Sequence, residues 1–490
     1  MNLAELISAL PFYETNARLD QIEISNIVMD SRAVKPGNLF VCINGYTVDG
    51  HDFIVQAVQN GAQAIIAERP VEAEVPTIVV PDTQRALSMI AVKFYHNPST
   101  KLPLIGITGT NGKTTVTYIL EKIFNEFKRK TAVIGTIQMK IGSETYPVTN
   151  TTPDALLLQQ SFKKMLDKGV NQVMMEVSSH ALVQGRVYGC DYDIAIFTNL
   201  SQDHLDFHKD LDDYLRAKSL LFAQLGNTYS EENQKYAVIN QDDDASTLLK
   251  SSTAQHVITY GVKHASQVMA NNITLGSGGT TFQLQTPIGE IMIQSKLIGM
   301  FNVYNMLAAS AAAVCSNVPL SVIQAALAKI SGVDGRFEPV DAGQSFAVIV
   351  DYAHTPDSLD NVLQTVKEFA ENNVFVIVGC GGDRDRSKRP IMAEIALKYA
   401  DQAIFTSDNP RTENPQAILD DMTNGLHQDE NYQVIVDRKE AIHVAVSQAK
   451  AGDVILIAGK GHETYQQVGN TKYDFDDREV AKEAIQIKEK

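Results

Sequence analysis

Short unbroken apolar runs alternate with amphipathic stretches along most of this 490-residue chain. Runs at 131–135, 172–177, 194–200, 236–240 and 256–260 have strand length and little polar alternation, as expected of strands buried on both faces. Leu104, Ile105 and Ile107 form another such run, followed by a loop containing Gly109 and Gly112. Behind the loop, 116–127 sets Ile119, Leu120, Ile123 and Phe124 at helical spacing. The segment 210–225 reads as a helix whose stripe is Leu211, Tyr214, Leu215, Leu221 and Phe222, and further helices are expected over 302–315 and 321–330. Around Pro287-Ile288-Gly289 the period falls to two, which predicts an antiparallel hairpin over 280–294. A second series of strands follows at 346–350, 374–378, 403–406, 433–436 and 454–458. The first hundred residues carry shorter runs at 26–30, 38–43 and 64–67, with a helix over 49–60 stopped by Gly61. Residues 96–101 read as a linker.

Repeated strand–helix alternation predicts an α/β protein of three domains. They are a small N-terminal α/β domain (1–98), a central mostly parallel sheet with helices on both faces (99–333) and a C-terminal Rossmann-like domain (334–490).

Composition is that of an ordinary globular protein, with 44% hydrophobic and 20% charged residues. The net charge of −16 argues against nucleic acid or an anionic membrane surface as a partner. Cys42, Cys190, Cys315 and Cys380 show neither metal nor paired spacing, which suits free thiols in a reducing cytoplasm. The start lacks a basic segment before an apolar core, and no apolar run approaches membrane-spanning length, so neither a signal peptide nor membrane insertion is expected.

The chemistry centres on Gly109-Thr110-Asn111-Gly112-Lys113-Thr114-Thr115. Strand, glycine loop and helix N-terminus together aim bare N–H groups at an anion. Lys113 adds a mobile cation, and the Thr114 hydroxyl can sit on Mg2+. The strict phosphate-loop pattern has glycine where Ile107 stands, so this is a P-loop variant. Glu176 ends one predicted strand and His204 follows another, on the same sheet edge as the loop. A carboxylate and an imidazole beside a triphosphate are natural magnesium or manganese ligands, although spacing alone leaves His204 equally a loop histidine. Lys218 falls inside an apolar stripe. It either snorkels, the commoner outcome, or is buried with a depressed pKa and able to take up carbon dioxide as a carbamate. In the C-terminal series, the loops after the strands (351–357, 379–385, 407–412 and 459–463) share one edge, where open α/β sheets bind ligands.

The Gly-Thr-Asn-Gly-Lys-Thr loop, Glu176, the Asp-His-Leu-Asp segment at 203–206 and Tyr214-x-x-Ala-Lys218 together resemble the Mur ligases, ATP-dependent amide-forming enzymes of peptidoglycan synthesis. The resemblance spans the chain in three-domain order. It implies that Lys218 is carbamylated and helps place Mg2+, with Thr114, Glu176 and His204. It implies ATP contacts from the loop and from Asn302, Arg336 and His354. Asp30-Ser31-Arg32, Asn150–Asp154 and Glu176–Arg186 look like the nucleotide-sugar-dipeptide site of the third-residue-adding members. By that match Ser31, Asn150, Thr151, Thr152, Ser178, Gln184 and Arg186 hold UDP-N-acetylmuramoyl-L-Ala-D-Glu.

Arg384, Asp408, Asn409, Pro410, Arg411, Gly459 and Glu463 match the amino-acid site. In this family Asp-Asn-Pro-Arg goes with meso-diaminopimelate, and the lysine-adding members lack the arginine. The physics agrees: Arg411 offers a planar fork for the second carboxylate, and Pro410 stiffens its loop. The expectation is a cytoplasmic, monomeric ligase acting on small molecules. The alternatives are a lysine-adding or folylpolyglutamate-synthetase-like ligase and, from another class, a nucleotide-gated binding protein.

Overall fold

The computed structural model describes residues 1–489 apart from 16, 46–47, 232, 277 and 428–430. The chain divides into two compact units.

The first unit comprises Met1–Gly106, Arg129–Ala195 and Leu220–Lys235. Its N-terminal part is a sheet in the order Glu14–Thr15, Thr77–Val79, Ala62–Ala67, Asn38–Val41, Asn26–Val28. Only the first pairing is antiparallel. Successive residues of a strand face opposite sides. Phe40 and Ile65 therefore pack with Ile54 and Ala57 of helix Ile54–Gln59, while Leu39, Val41 and Ile66 pack with Leu87 and Ile90 of helix Thr83–Phe94. Burial on both faces is why these strands read as continuous apolar runs.

The expected helix over 49–60 opens as a 3-10 turn, Gly50–Phe53, because the Asp49 carboxylate caps the His51 N–H. The stretch read as a linker is a packed 3-10 turn, Pro98–Lys101. In it the buried Ser99 donates to the Gly189 carbonyl and accepts from the Asp191 N–H. The same unit pairs strand Gln172–Glu176 in parallel with Thr131–Ile134, followed by the hairpin Met139–Ile141 and Glu144–Tyr146.

The second unit comprises Ile107–Lys128, Ile196–Ser219 and Tyr236–Lys490. Strands Tyr236–Asn240, His256–Gly261 and Val268–Gly276 run parallel. Gly279–Thr286 and Gly289–Ser295 then add the antiparallel edge that the period-two pattern predicted. The helix after the glycine loop, Lys113–Glu126, packs against Met300–Cys315 and Leu320–Lys329. Small residues Ala308–Ala313 let the second of these pack closely on its neighbours.

The C-terminal sheet has the order Glu338–Pro339, Ala347–Asp351, Val454–Ala458, Val374–Val378, Gln402–Phe405, Tyr432–Val434, parallel apart from the first short pairing. Helices Pro356–Phe369, Lys388–Tyr399 and Pro415–Thr423 cover one face, and Arg438–Gln448 and Asp477–Lys488 the other. This is the doubly wound arrangement expected of a Rossmann-like fold.

The two helices on that second face are joined by an ion pair with no solvent exposure. Arg438 Nε and Nη2 donate to Asp477 Oδ1 and Oδ2 at 2.7 and 2.8 Å. The same guanidinium donates to the Ala458 carbonyl at 3.0 Å, which fixes the end of the central strand. Removing one partner strands a buried charge. Asp477→Ala should therefore destabilise the fold by about 3–5 kcal/mol in denaturant unfolding, and Arg438→Met/Asp477→Leu by clearly less.

Candidate functional site

Strand Leu104–Thr108 is wholly buried, and the chain leaves it through Gly109 with φ +150° and Gly112 with φ +85°. A Cβ on Gly109 would lie 1.8 Å from Thr198 Oγ1, and one on Gly112 2.4 Å from Asn305 Oδ1. Both positions therefore require glycine. The loop is held from the side by residues 198–201. Thr110 and Asn111 N–H groups donate to the Asn199 carbonyl and side chain at 2.8 and 2.9 Å, and Thr198 Oγ1 donates to the Asn111 carbonyl at 2.6 Å. Gly112 caps helix Lys113–Glu126 without a side chain, so the helix N-terminus keeps its anion-binding character.

Two lysines converge on one carbonyl. Lys113 Nζ and Lys218 Nζ each donate to Gly109 O at 2.9 Å. Lys218 is 1% exposed, and its ammonium lies 4.0 Å from the Tyr214 ring centroid. Burial, then the charge of Lys113, push its pKa well below that of an ordinary lysine, against the pull of Asp203. The structure thus gives the buried alternative, not the snorkelling one.

His204 sits at φ +57°, with Nε2 3.3 Å from Asp203 Oδ2. Burial opposes ionisation of Asp203. His204 and Lys388 outweigh it and hold the carboxylate below its usual range, whereas the His354 imidazole, pushed down to about 4 by burial, adds charge only at acid pH. His354 Nε2 and Lys388 Nζ stand 3.9 and 3.8 Å from that carboxylate, so Asp203 connects the segment after strand Ile194–Phe197 to the C-terminal sheet.

Beside the loop, a cavity of about 340 Å3 is lined by Gly112, Thr115, Asn305, Arg336, Asp351 and Asp357, among others. Arg336 Nη2 donates to Thr114 Oγ1 at 3.2 Å, and Asn111 Nδ2 to Asp357 Oδ2 at 2.8 Å. The Asp351 carboxyl is pushed up to about 6 by burial, against the charge of Arg336 and the Phe337 N–H. Of the residues matched to ATP, Asn111, Gly112 and Thr115 of the loop and Arg336 line this cavity. Asn302 is buried one turn before Asn305 and accepts from its amide at 3.3 Å. His354 bonds the Tyr352 carbonyl through Nδ1.

In the first unit, Glu176 is fully buried. It accepts from Thr136 N and Oγ1 at 3.0 and 2.9 Å, and Thr136 Oγ1 lies 3.1 Å from Thr151 Oγ1. Thr152 Oγ1 donates to the Glu176 carbonyl and accepts from Ser178 N, and Arg186 Nη1 donates to the Thr152 carbonyl. Thr151, Thr152, Ser178 and Arg186 thus gather around the end of strand Gln172–Glu176. Asn150 is exposed, and Gln184 ends the short helix Ser179–Val183. Ser31 is buried elsewhere in this unit, with Oγ donating to Gln56 Oε1 at 2.7 Å.

At the carboxyl edge of the C-terminal sheet, Asp408, Asn409, Gly459 and Glu463 surround Lys460, which is fully buried. Lys460 Nζ donates to Asn409 Oδ1 at 3.1 Å and Glu463 Oε2 at 2.9 Å. Burial opposes the charge on Asp408. Lys460, Arg438 and the Asn409 N–H prevail, and keep its carboxylate below its ordinary value. Gly459 has φ +114°, and a Cβ there would meet Asp408 Oδ2 at 2.8 Å. Arg411 is left-handed, at φ +50°. Its N–H donates to the Gln467 carbonyl, its carbonyl accepts from Gly469 N–H, and Nη1 donates to Gly382 O at 2.6 Å. Arg384 is exposed, and its side chain and that of Arg411 both border Gly381.

Sequence alone assigns no role to Asp203, Asn305, Lys388, Arg389 or Lys460. Two had local signals: Asp203 stands next to His204, and Lys460 lies between two glycines of a predicted binding loop.

Profiles described as the Mur ligase family catalytic domain, the Mur ligase middle domain and the Mur ligase glutamate ligase domain match residues 23–95, 107–313 and 335–461. The UDP-N-acetylmuramoyl-L-alanyl-D-glutamate–2,6-diaminopimelate ligase of Oceanobacillus iheyensis is 63% identical over all of both chains. The protein of the same name from Bacillus cereus is 58% identical over 99% of this chain and 98% of its own. A solved structure bearing that name superposes with a TM-score of 0.70 at 34% identity, covering 99% of each chain. With full-length relatives at this identity and the family's three profiles in order, the chain belongs to the Mur ligase family and is an ATP-dependent ligase.

Proposed function

We propose that this ligase joins meso-2,6-diaminopimelate to the D-Glu side-chain carboxylate of UDP-N-acetylmuramoyl-L-Ala-D-Glu, with ATP giving ADP and phosphate. The full-length relatives carry that name. The observation that carries the substrate choice is the arginine at 411, whose backbone is bonded to Gln467 and Gly469 and whose guanidinium rests on the Gly382 carbonyl. A fork held in advance loses little freedom on taking a carboxylate bidentately.

The three expected domains (1–98, 99–333 and 334–490) divide the work. The first, with Asn150, Thr151, Thr152, Ser178, Gln184 and Arg186, receives the nucleotide-sugar dipeptide, and Ser31 belongs to this set. Loop residues 109–115, with Arg336, Asn302 and His354, hold ATP. Arg384, Asp408–Arg411, Gly459 and Glu463 hold the amino acid.

A carboxylate is a poor electrophile, so the γ-phosphoryl group is first transferred to it, giving an acyl phosphate. The amine of diaminopimelate attacks that carbonyl carbon, and phosphate leaves as the amide forms. Lys113 and the helix N-terminus stabilise phosphoryl charge, and the rest of the acceleration is positioning.

Within the second unit the Thr114 hydroxyl, the His204 imidazole and the oxygens Lys218 would carry as a carbamate are donor types that suit Mg2+, and Glu176 of the first unit is a carboxylate of the same hard-donor class. When bound, Mg2+ neutralises charge on the triphosphate and the transferred group. Burial and Lys113 favour the neutral amine of Lys218. That amine adds to carbon dioxide with loss of a proton and so gains the anionic oxygens. An enzyme consuming ATP and a nucleotide sugar works in the cytoplasm, where the four free cysteines stay reduced. We take it to act as a monomer.

Phosphate release should require the muramoyl dipeptide and diaminopimelate together. Full hydrolysis without either would favour a nucleotide-gated binding protein, and dependence on a folate would favour the folylpolyglutamate-type alternative. Arg411→Ala should remove about 1.5–3 kcal/mol of carboxylate binding. The ratio of kcat/KM for diaminopimelate over lysine would then fall about ten- to a hundredfold, and an unchanged ratio would defeat the substrate assignment. Lys218→Ala should lower kcat by about a hundredfold or more, with partial rescue by added short carboxylates. Full activity in that variant would rule out the carbamate.

A further inference from the structure

The substrate-facing arginine is held from behind by a network that touches no proposed ligand. Arg389, in the first turn of helix Lys388–Tyr399, has no solvent exposure. Its Nη1 and Nη2 donate to Glu413 Oε2 and Oε1 at 3.0 and 2.7 Å, and Nη1 also to Asp421 Oδ2 at 2.7 Å. Glu413 stands two residues after Arg411, and its Oε1 accepts from the Asp383 N–H at 2.6 Å. Asp383 reaches back, with Oδ1 accepting from Thr412 Oγ1 at 2.7 Å and Oδ2 from Thr412 N at 3.2 Å.

The loops 379–385 and 407–413 are thereby stitched together at consecutive residues. Gly382 N–H donates to the Asn409 carbonyl at 2.9 Å, and the Gly382 carbonyl takes the Arg411 guanidinium. A Cβ on Gly382 would stand 1.9 Å from the Pro410 carbonyl oxygen, so the approach is as close as backbone allows. Two of the stitched residues, Asp383 at φ +53° and Arg411 at φ +50°, are left-handed without being glycine. Non-glycine residues stay in that region only where the surroundings over-determine them.

We infer that Arg389, through Glu413 and Asp383, is a positioning residue that aims Arg411 and so sets the choice of amino-acid substrate. This rests on the proposed amino-acid site and deepens it. Arg389 draws the Glu413 carboxylate away from Arg411, two positions earlier. Without the bidentate hold, that carboxylate becomes a competitor for the guanidinium that must meet the substrate's distal carboxylate. Thr412 and Asp383 form the outer half of the same clamp.

The test uses Arg389→Lys, which keeps the charge but not the fork, and Thr412→Val, which removes an exposed hydroxyl on the other side of the clamp. KM and kcat are measured for diaminopimelate and for lysine in the full-length enzyme. Arg389→Lys should raise KM for diaminopimelate about tenfold, the loss of one charge-assisted contact, with kcat within about twofold and KM for lysine nearly unchanged. Thr412→Val should move the same ratio in the same direction by about two- to fivefold, and carries the test if Arg389→Lys does not fold. A merely structural role would lower kcat for both amino acids alike and leave the ratio intact, and that result overturns the inference. If the unmodified enzyme itself shows no preference for diaminopimelate, the substrate reading fails and takes this inference with it. If the preference is present and survives both substitutions, only the inference fails.

Discussion

Two ammonium groups sharing the carbonyl of Gly109 set the terms for the rest of the centre. One belongs to the phosphate loop and is held near solvent; the other is sealed in the apolar stripe of helix Leu211–Ala223. Two cations around one acceptor repel, and the desolvated one yields its proton first. Burial, with the charge of Lys113 beside it, therefore lowers the basicity of the Lys218 nitrogen. That outcome depends on the two glycines, because any side chain at 109 or 112 would collide with Thr198 or Asn305 and displace the shared carbonyl.

A different balance governs the carboxyl edge of the C-terminal sheet. Three cations are buried there without solvent exposure: Arg438, Lys460 and Arg389. Each is matched with oxygens from other segments: Arg438 with Asp477 of the last helix, Lys460 with Asn409 and Glu463, and Arg389 with Glu413 and with Asp421 of helix Pro415–Thr423. Buried charges of this kind add little net stability, since desolvation offsets most of their attraction. What they do is remove alternatives: each partner is forced into one geometry, because any other leaves a charge unpaired. The loops at this edge are thereby held in one arrangement.

Asp203 joins these two regions inside the second unit. It lies beside His204, and 3.9 and 3.8 Å from His354, in the loop after strand Ala347–Asp351, and Lys388, at the start of helix Lys388–Tyr399. The cavity between the phosphate loop and Arg336, Asp351 and Asp357 lies wholly within that unit. The glycine loop and the carboxyl edge of the C-terminal sheet therefore belong to one structural unit.

Local pattern decided the α/β class, the central strands and the phosphate loop. Strands Tyr236–Asn240, Val374–Val378 and Val454–Ala458 have the limits that their apolar runs gave. A strand buried on both faces has no option but to be apolar throughout, and a loop gripping phosphate must spend glycines where side chains would clash. The hairpin Tyr465–Val468 with Thr471–Asp474 left no such trace, because it is mostly exposed and so carries no apolar run. Nor did sequence distinguish a buried Lys218 from a snorkelling one, or mark Arg389 and Lys460. A lysine or arginine is written identically whether solvated or sealed. Only the packing of segments distant along the chain determines how much water each one loses and which acid it meets.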